Sequence, residues 1–334
     1  MNERDELLRR WADKRFTDFR MIPASEDASF RRYFRVETGG KSLIVMDAPP
    51  ALENSERFVA VARAFSELGL KVPEIHEADL EMGFLILEDF GIRPYLYELS
   101  TGNADELYGD ALAALSNLQL LSRDRVREFP AYDHAMLEQE LLIFDEWFLG
   151  HHLGISLADA ELSRLRGVYE RLIESALEQP VVWVHRDFHS RNLMVLPADN
   201  PGILDFQGAV SGPVTYDLVS LLRDCYIRWP HANVERWALD YRARLEQSGF
   251  HGLGEPDRFL RWFDLMGLQR HLKVAGIFAR LFRRDGKPGY LGDIPRTLDY
   301  VLEVCRRRSE LTDLRELIEQ RVIPAISRET SCAP

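Results

Sequence analysis

Cysteine is scarce in this sequence: three residues in 334, Cys225, Cys305 and Cys332, with no CxxC pair and no metal-type spacing. A disulfide framework and a structural zinc site are thereby excluded, and the three are read as reduced thiols. Although 46% of the residues are hydrophobic, no uninterrupted apolar run is long enough to span a bilayer, so no membrane association is expected. The opening MNERDELLRRWADKRF is too charged for a secretory signal, and the expected location is cytoplasmic. An excess of basic residues is absent as well. Asp and Glu outnumber Lys and Arg by 54 to 42, a net charge of −12, which argues against a broad nucleic-acid-binding surface. No internal repeat or low-complexity linker interrupts the chain. What remains is the composition of a globular enzyme, long enough for two lobes of unequal size.

The informative stretch is Val181 to Leu222, VVWVHRDFHSRNLMVLPADNPGILDFQGAVSGPVTYDLVSLL. Two short apolar runs of strand type, Val181–Val184 and Leu193–Leu196, bracket a polar loop holding His185, Arg186, Asp187, His189, Arg191 and Asn192. Asp205 ends the next apolar run, thirteen positions after Asn192, a separation that lets a loop and a strand end converge on one point. Phosphoryl transfer needs a group that orients the attacking hydroxyl and accepts its proton, and oxygen ligands that hold magnesium on the triphosphate. Asp187, Asn192 and Asp205 supply that set. Singly, each residue has an ordinary structural explanation, as a cap, a turn or a strand-end acceptor. Jointly, with order and both spacings correct, they point to a kinase.

The loop HRDFHSRN and the segment Asp205-Phe206-Gln207-Gly208 resemble the catalytic loop and metal-binding segment of protein-kinase-like enzymes. His189 stands where protein serine/threonine kinases carry Lys, and no Ala-Pro-Glu segment is present. With Gly212-Pro213-Val214-Thr215-Tyr216-Asp217-Leu218, the chain resembles the aminoglycoside phosphotransferase and choline kinase group of small-molecule kinases. The resemblance implies an α+β, protein-kinase-like bilobal fold. It places a small β-rich, nucleotide-binding lobe at residues 1–91, a larger helical lobe at 92–326 carrying the catalytic loop and the acceptor site, and a tail at 327–334. It also implies Asp187 as the catalytic group, Asn192 and Asp205 as magnesium ligands, and His185 and Asp217 as supports of the catalytic loop. ATP and Mg2+ are the implied cofactors, a small molecule the implied partner, and a monomer the favoured state.

In the small lobe, Glu3 to Phe16 reads as an amphipathic helix, with Leu7, Leu8 and Trp11 on neighbouring turns. Ser29 to Thr38 and Lys41 to Asp47 around Gly39-Gly40 give a hairpin signal. By resemblance, the turn Ser25–Ser29 covers the ATP phosphates, although it has no glycine-rich signature. Ser29, Arg31 and Arg32 are candidate phosphate donors, and Arg32 is preferred of the two arginines. Leu43-Ile44-Val45-Met46 occupies the strand where such kinases place a phosphate-holding lysine, and Met46 cannot do that work. Replacement by another cation, Arg32 or Lys41, is expected. Glu53 to Leu68 reads as a helix stopped by Gly69; Val72–His76 and Gly83–Leu87 read as strands. By resemblance, backbone groups of Leu87, Glu88 and Asp89 meet the adenine edge, and Ile44 covers its face.

Beyond this hinge the chain is helical by period: Asp105–Ser122, Met136–Leu149, Leu157–Gln179, Leu218–Arg228, Val234–Ser248, Asp257–Phe282 and Leu311–Val322, with Ser327–Pro334 a frayed tail. The most basic patch, Arg280 to Tyr290, with Arg270, His271 and Lys273 before it, is either a cationic helix end completing its dipole or the lining of a pocket for an anionic acceptor. His189, Arg191 and Arg283 are the acceptor candidates. Across its length, through VHRDFHSRNLM, ILDFQGAVSGPVTYDLVSLLRD and FARLFRRDGKPGY, the chain looks most like one branch of the group. That branch comprises the anomeric kinases of bacterial peptidoglycan recycling, which phosphorylate N-acetylmuramate and N-acetylglucosamine at C1. Two alternatives stay open: a kinase for a cationic acceptor such as an aminoglycoside, and, because of Met46, an inactive pseudokinase-like binding module.

Overall fold

A computed structural model describes residues 3–26 and 30–331, so Ser29 lies outside the described residues. The chain forms two compact units, Met1–Ala111 with Arg191–Gln207 and Leu112–Ser190 with Gly208–Pro334.

The first unit is built on a five-stranded antiparallel sheet, β1 (Arg20–Glu26), β2 (Arg32–Thr38), β3 (Lys41–Asp47), β4 (Ile75–Asp79) and β5 (Phe84–Glu88), in the order β1-β2-β3-β5-β4. Gly39 and Gly40 close the β2–β3 hairpin with φ of +53° and +74°, the left-handed pair that a two-residue turn requires. Helix α1 (Glu3–Asp13) buries Leu8, Trp11 and Ala12 against Val36, Val45, Phe84 and Ile86 of the sheet, as its apolar spacing predicts. Its acidic first turn and Arg10 in the last complement the helix dipole. Asp47 is wholly buried at the end of β3 and receives Arg4 from α1 at 2.6 Å and Arg32 from β2. Helix α2 (Ser55–Glu67) starts at Asn54, whose side chain accepts the Arg57 N–H at 2.9 Å, and the chain turns away at Gly69 with φ +76°. The first unit also holds α3 (Tyr95–Glu98) and the start of α4 (Ala104–Leu121).

The second unit is helical: α5 (His134–Ile143), α6 (Asp159–Leu177), α7 (Tyr216–Leu222), α8 (His231–Gln247), α9 (Pro256–Arg283), α10 (Ile294–Arg307), α11 (Thr312–Leu317) and α12 (Ile323–Ser331). α9 is its axis, buried along most of its length and packed against α5, α6, α7, α8 and α10. Four short strands follow α6 in the chain: β6 (Val181–Val184), β7 (Leu193–Met194), β8 (Gly202–Ile203) and β9 (Val210–Pro213). β6 pairs with β9 in the second unit, and β7 with β8 in the first.

Several expectations shift, and the helix expected over Leu218–Arg228 is instead Tyr216–Leu222. The helix anticipated over Met136–Leu149 stops at Ile143 and continues as a π-helical segment, Phe144–His152. The strand expected from Val72 starts at Ile75, after Pro73. The chain expected to fray from Ser327 is helical to Ser331.

At the α5-to-π junction, α9 packs backbone against backbone: a Cβ on Gly276 would stand 2.5 Å from the Ile143 carbonyl oxygen and 2.8 Å from the Phe144 nitrogen. Backbone atoms cannot swing aside as a side chain does. Gly276→Ala is therefore expected to destabilise the protein by about 2–3 kcal/mol or more through overpacking, read as a lowered urea midpoint. A midpoint equal to wild type would show that the two helices slide apart at no cost.

Candidate active site

The stretch from His185 to Ser190 leaves β6 as irregular backbone, and its N–H groups need acceptors. Buried carboxylates provide them. Asp217, in the first turn of α7, accepts the His185 N–H at 2.6 Å on one oxygen and the Arg186 N–H at 2.9 Å on the other. Asp224 accepts the Ser190 N–H at 2.9 Å and its hydroxyl at 2.5 Å, while its second oxygen takes the Tyr226 N–H at 2.9 Å. Between these anchors, the buried His185 ring accepts the Asp187 N–H at Nδ1, 3.2 Å away, and the His189 N–H donates to the Asp187 carbonyl at 3.0 Å. His185 and Asp217, the residues expected to support the loop, are placed at these contacts.

Arg186 sits at φ +77°, a left-handed conformation that costs a non-glycine residue about 1–2 kcal/mol. Its guanidinium is held by Glu140 of α5, a buried carboxylate that also receives Lys273 Nζ at 2.8 Å and the Tyr132 hydroxyl. Burial acts to raise the Glu140 carboxyl, but Lys273 and Arg186 outweigh it and hold the group below the usual carboxylate range. Lys273 also donates to the Tyr216 hydroxyl at 3.0 Å.

Asp187 is half-buried. Desolvation acts to raise its carboxyl, yet Lys273, His189, Arg186 and Arg270 together bring it below its ordinary value, so it is ionised at neutral pH. Arg270 is itself buried, and its Nη1 has no hydrogen-bond partner among the described residues. Asp217 behaves oppositely. Burial pushes it up to about 7, against the two N–H donors and with the Asp187 charge adding to the rise.

In the first unit, Asn192 and Asp205 come together: Asn192 Nδ2 lies 3.4 Å from Asp205 Oδ2, and the Asn192 carbonyl accepts the Leu204 N–H at 2.9 Å. Asp205 has φ +61°, and Gln207 donates to its other oxygen. One carboxylate and one amide, both half-buried, form a hard-oxygen set that fits Mg2+, which keeps waters and phosphate oxygens for the rest of its shell. Among the described residues there is no group of three or more His, Cys, Asp or Glu that could hold a metal ion. Arg31 reaches the same carboxylate, its Nη1 3.9 Å from Asp205 Oδ1.

The remaining candidates divide. Arg32 is engaged by Asp47 and by Asp5 at 2.6 Å, so its charge serves the contact between α1 and the sheet. Ile44 and Leu87 face each other across β3 and β5. Glu88 pairs with Lys71 at 2.8 Å, and its N–H donates to the Glu74 carbonyl. Asp89 holds Arg35 at 2.6 Å and the Ser42 hydroxyl; burial raises its carboxyl, but these bonds leave it lowered. His189 is buried with its ring edge-on to Tyr226, whereas Arg191 is exposed. Arg283 is exposed at the end of α9, bonded to the His152 carbonyl at 3.0 Å.

Sequence reasoning gave no role to Glu140 or Asp224, and grouped Lys273 only with the basic patch. Signals existed for two of them. Glu140 stands on the apolar face with Leu137, Leu141 and Phe144, all buried, and a carboxylate at such a position is informative. Asp224 follows Asp217 by seven positions, within the same buried run.

Residues 20–258 match the phosphotransferase enzyme family. The chain belongs to that family, whose members transfer phosphoryl groups, and its fold is protein-kinase-like. It is 49% identical over 300 residues, 90% of this chain and 88% of the other, to the N-acetylmuramate/N-acetylglucosamine kinase of Pseudomonas putida. It is 40% identical to the kinase of the same name from Neisseria meningitidis serogroup B, with 96% of each chain covered. Among solved structures, it is similar to a choline kinase from Streptococcus pneumoniae, with a TM-score of 0.63, 10% identity and coverage of 90% of this chain and all of the other. It is also similar to an ADP-bound aminoglycoside phosphotransferase, with a TM-score of 0.56, 16% identity and coverage of 89% and 97%. These structural likenesses carry the fold. No helix among the described residues is long and apolar enough to cross a membrane.

Two outcomes are expected from the loop's supports. Glu140→Gln strands Arg186 and Lys273 as neighbouring buried cations and is expected to cost about 3 kcal/mol. Lys273→Met in the same chain should recover part of that loss, a non-additive result in a double-mutant cycle of urea midpoints; strict additivity would show that the two do not share the interaction. Asp217 supplies a pH dependence. Its raised carboxyl keeps, when folded, a proton that the unfolded chain releases near pH 4, so this contribution to stability is complete below that pH and is lost as pH rises through about 7. The melting temperature of wild type relative to Asp217→Asn should accordingly fall between pH 5 and 8; a constant difference across that window would mean the buried carboxyl does not titrate there.

Proposed function

We propose that this chain is an ATP-dependent sugar kinase that phosphorylates the anomeric C1 hydroxyl of N-acetylmuramate and N-acetylglucosamine, yielding a sugar 1-phosphate and ADP for peptidoglycan recycling. The observation that carries the reading is the setting of Asp187, an ionised carboxylate surrounded by Lys273, Arg186, Arg270 and His189. A carboxylate held low is a weak base, suited to orienting a hydroxyl and taking its proton late, as the loose transition state of phosphoryl transfer allows. The hemiacetal hydroxyl at C1 is the most acidic of a reducing sugar, so it asks least of such a base. The same cations suit an acceptor with an acid group, as N-acetylmuramate has in its lactyl ether, and oppose a polycationic one. The names of the relatives at 49% and 40% identity support this acceptor class.

In this reading, Asp187 accepts the C1 hydroxyl proton as the bond from that oxygen to the γ-phosphorus forms and the bond to the ADP oxygen breaks. Asn192 and Asp205 would hold Mg2+, which when bound neutralises the triphosphate and lets two aspartates approach a polyanion. Asp217, Asp224 and Glu140 keep the Asp187 backbone in place. Leu87, Glu88, Asp89 and Ile44 form the proposed adenine-binding edge.

The test is ADP release with magnesium-ATP and a panel of N-acetylmuramate, N-acetylglucosamine, glucose, choline and kanamycin, with phosphorus NMR to locate the new ester. Turnover on the two amino sugars at C1 is expected, lost on the order of 10²–10⁴-fold in Asp187→Asn. Turnover on choline or kanamycin alone would overturn the acceptor assignment. ATP binding without turnover on any hydroxyl would favour a binding module.

A further inference from the structure

Kinases of this fold hold the α- and β-phosphates with a strand lysine fixed by an acidic residue of the following helix. Here that strand position is Met46, with no exposed surface. The register of the sheet shows which neighbouring cation can take its place. Across β2 and β3, Arg32 faces Asp47 and Tyr33 faces Met46, and opposed residues of an antiparallel pair point to the same side. Arg32 therefore lies on the face covered by α1, where Arg4 and Asp5 meet it and Asp47. Tyr33 and Met46 lie on the other face, and Arg31 joins them through a side-chain hydrogen bond with Tyr33.

Arg31 is built in rather than loose. Its side chain is 10% exposed, and Nη2 pairs at 2.8 Å with Glu53, which is equally buried. Glu53 directly precedes Asn54, the cap of α2, and its other oxygen accepts the Phe30 N–H at 3.1 Å. From that anchor, the guanidinium reaches to 3.9 Å from Asp205 Oδ1, too far for a hydrogen bond and near enough for one phosphate oxygen to meet both the cation and a metal held by Asp205. A guanidinium presents five donors in a planar fork that matches phosphate.

We propose that Arg31, buttressed by Glu53, replaces the missing strand lysine as the cation that binds the phosphate chain of a nucleoside di- or triphosphate. The pair Arg31–Glu53 transfers to the start of β2 and the approach to α2 the task that a strand lysine and a helix glutamate perform elsewhere, and Met46 becomes core. The inference rests on the nucleotide-dependent reading above and adds the residue that reads the phosphates.

Calorimetric titration of wild type, Arg31→Met and Arg31→Lys with magnesium-ADP and, separately, with adenosine tests it without reference to catalysis. Arg31→Met is expected to weaken ADP binding about tenfold or more, the loss of a charge-assisted contact, with adenosine affinity within about twofold of wild type. Arg31→Lys, which keeps the charge and the Glu53 pair, should fall between the two, and it serves as the reporter should Arg31→Met not fold. ADP binding unchanged in Arg31→Met, or an equal loss for ADP and adenosine, would overturn the proposal, the second by showing a merely structural clamp. Wild type that binds neither ligand would instead sink the nucleotide-dependent reading, and this proposal with it.

Discussion

Carboxylates accepting backbone N–H groups in a dry interior are the constraint on which the rest of this site depends. Asp217 takes two amides at the start of the catalytic loop, and Asp224 takes one amide and the Ser190 hydroxyl at its end. Glu140 fixes Arg186 between them. An irregular loop entering from a buried strand would otherwise leave unsatisfied donors, each costing about 1–3 kcal/mol. A carboxylate satisfies two donors with one residue, and its own burial is tolerable only because those donors, or paired cations, compensate it. The arrangement also explains how Arg186 keeps a left-handed backbone: the loop is pinned on both sides of it, and its side chain is bonded to Glu140.

Two aspartates near one another in this loop system have opposite electrostatic fates, and their surroundings decide which. Asp187 is kept ionised by neighbours, Lys273 foremost, that outweigh its burial. Asp217 has fixed dipoles close by and a like charge in Asp187, so burial prevails and its carboxyl rises to about 7. The carboxylate proposed to take a proton from substrate is thus charged, while the one that holds backbone can share a proton without loss of geometry. Lys273 links the two halves of this scheme, because it neutralises Glu140 and lowers Asp187 at once.

How much of this was legible in the sequence depended on how local each feature is. The catalytic loop and the acidic residue after β8 are read from spacing alone, since Asp187, Asn192 and Asp205 lie within nineteen positions; the structure then brings Asn192 and Asp205 together. The hairpin at Gly39-Gly40 and the capped helix after Asn54 are equally local. Glu140 was not legible in its role, because Arg186 lies forty-six positions away and periodicity says only that a helix face is apolar. β1 was not anticipated; Pro23 is tolerated in it because β1 is an edge strand with a register shift beside the proline. The preference for Arg32 over Arg31 came from the same weakness. Both are arginines at a strand start, and which one faces α1 is fixed by a register of β2 against β3 that a one-residue slip would invert.

Net charge is a poor guide to what such an enzyme accepts. The chain carries −12 overall, which taken alone would invite a cationic substrate, yet the carboxylate proposed as catalytic, Asp187, stands among Lys273, Arg186, Arg270 and His189. Two like charges about 6 Å apart at an effective dielectric near 20 repel by about 3 kcal/mol, more than two orders of magnitude in affinity. Distant surface carboxylates, screened by salt beyond about 10 Å, cannot offset that. Of the cations, Lys273 and Arg186 are each paired to Glu140, while Arg270 is buried with Nη1 unpartnered among the described residues. In the proposed reading, discrimination between anionic and cationic acceptors belongs to the field that α9 and its Glu140-paired cations set up at Asp187, and a fold shared with aminoglycoside and choline kinases says nothing about which sign of acceptor that field admits.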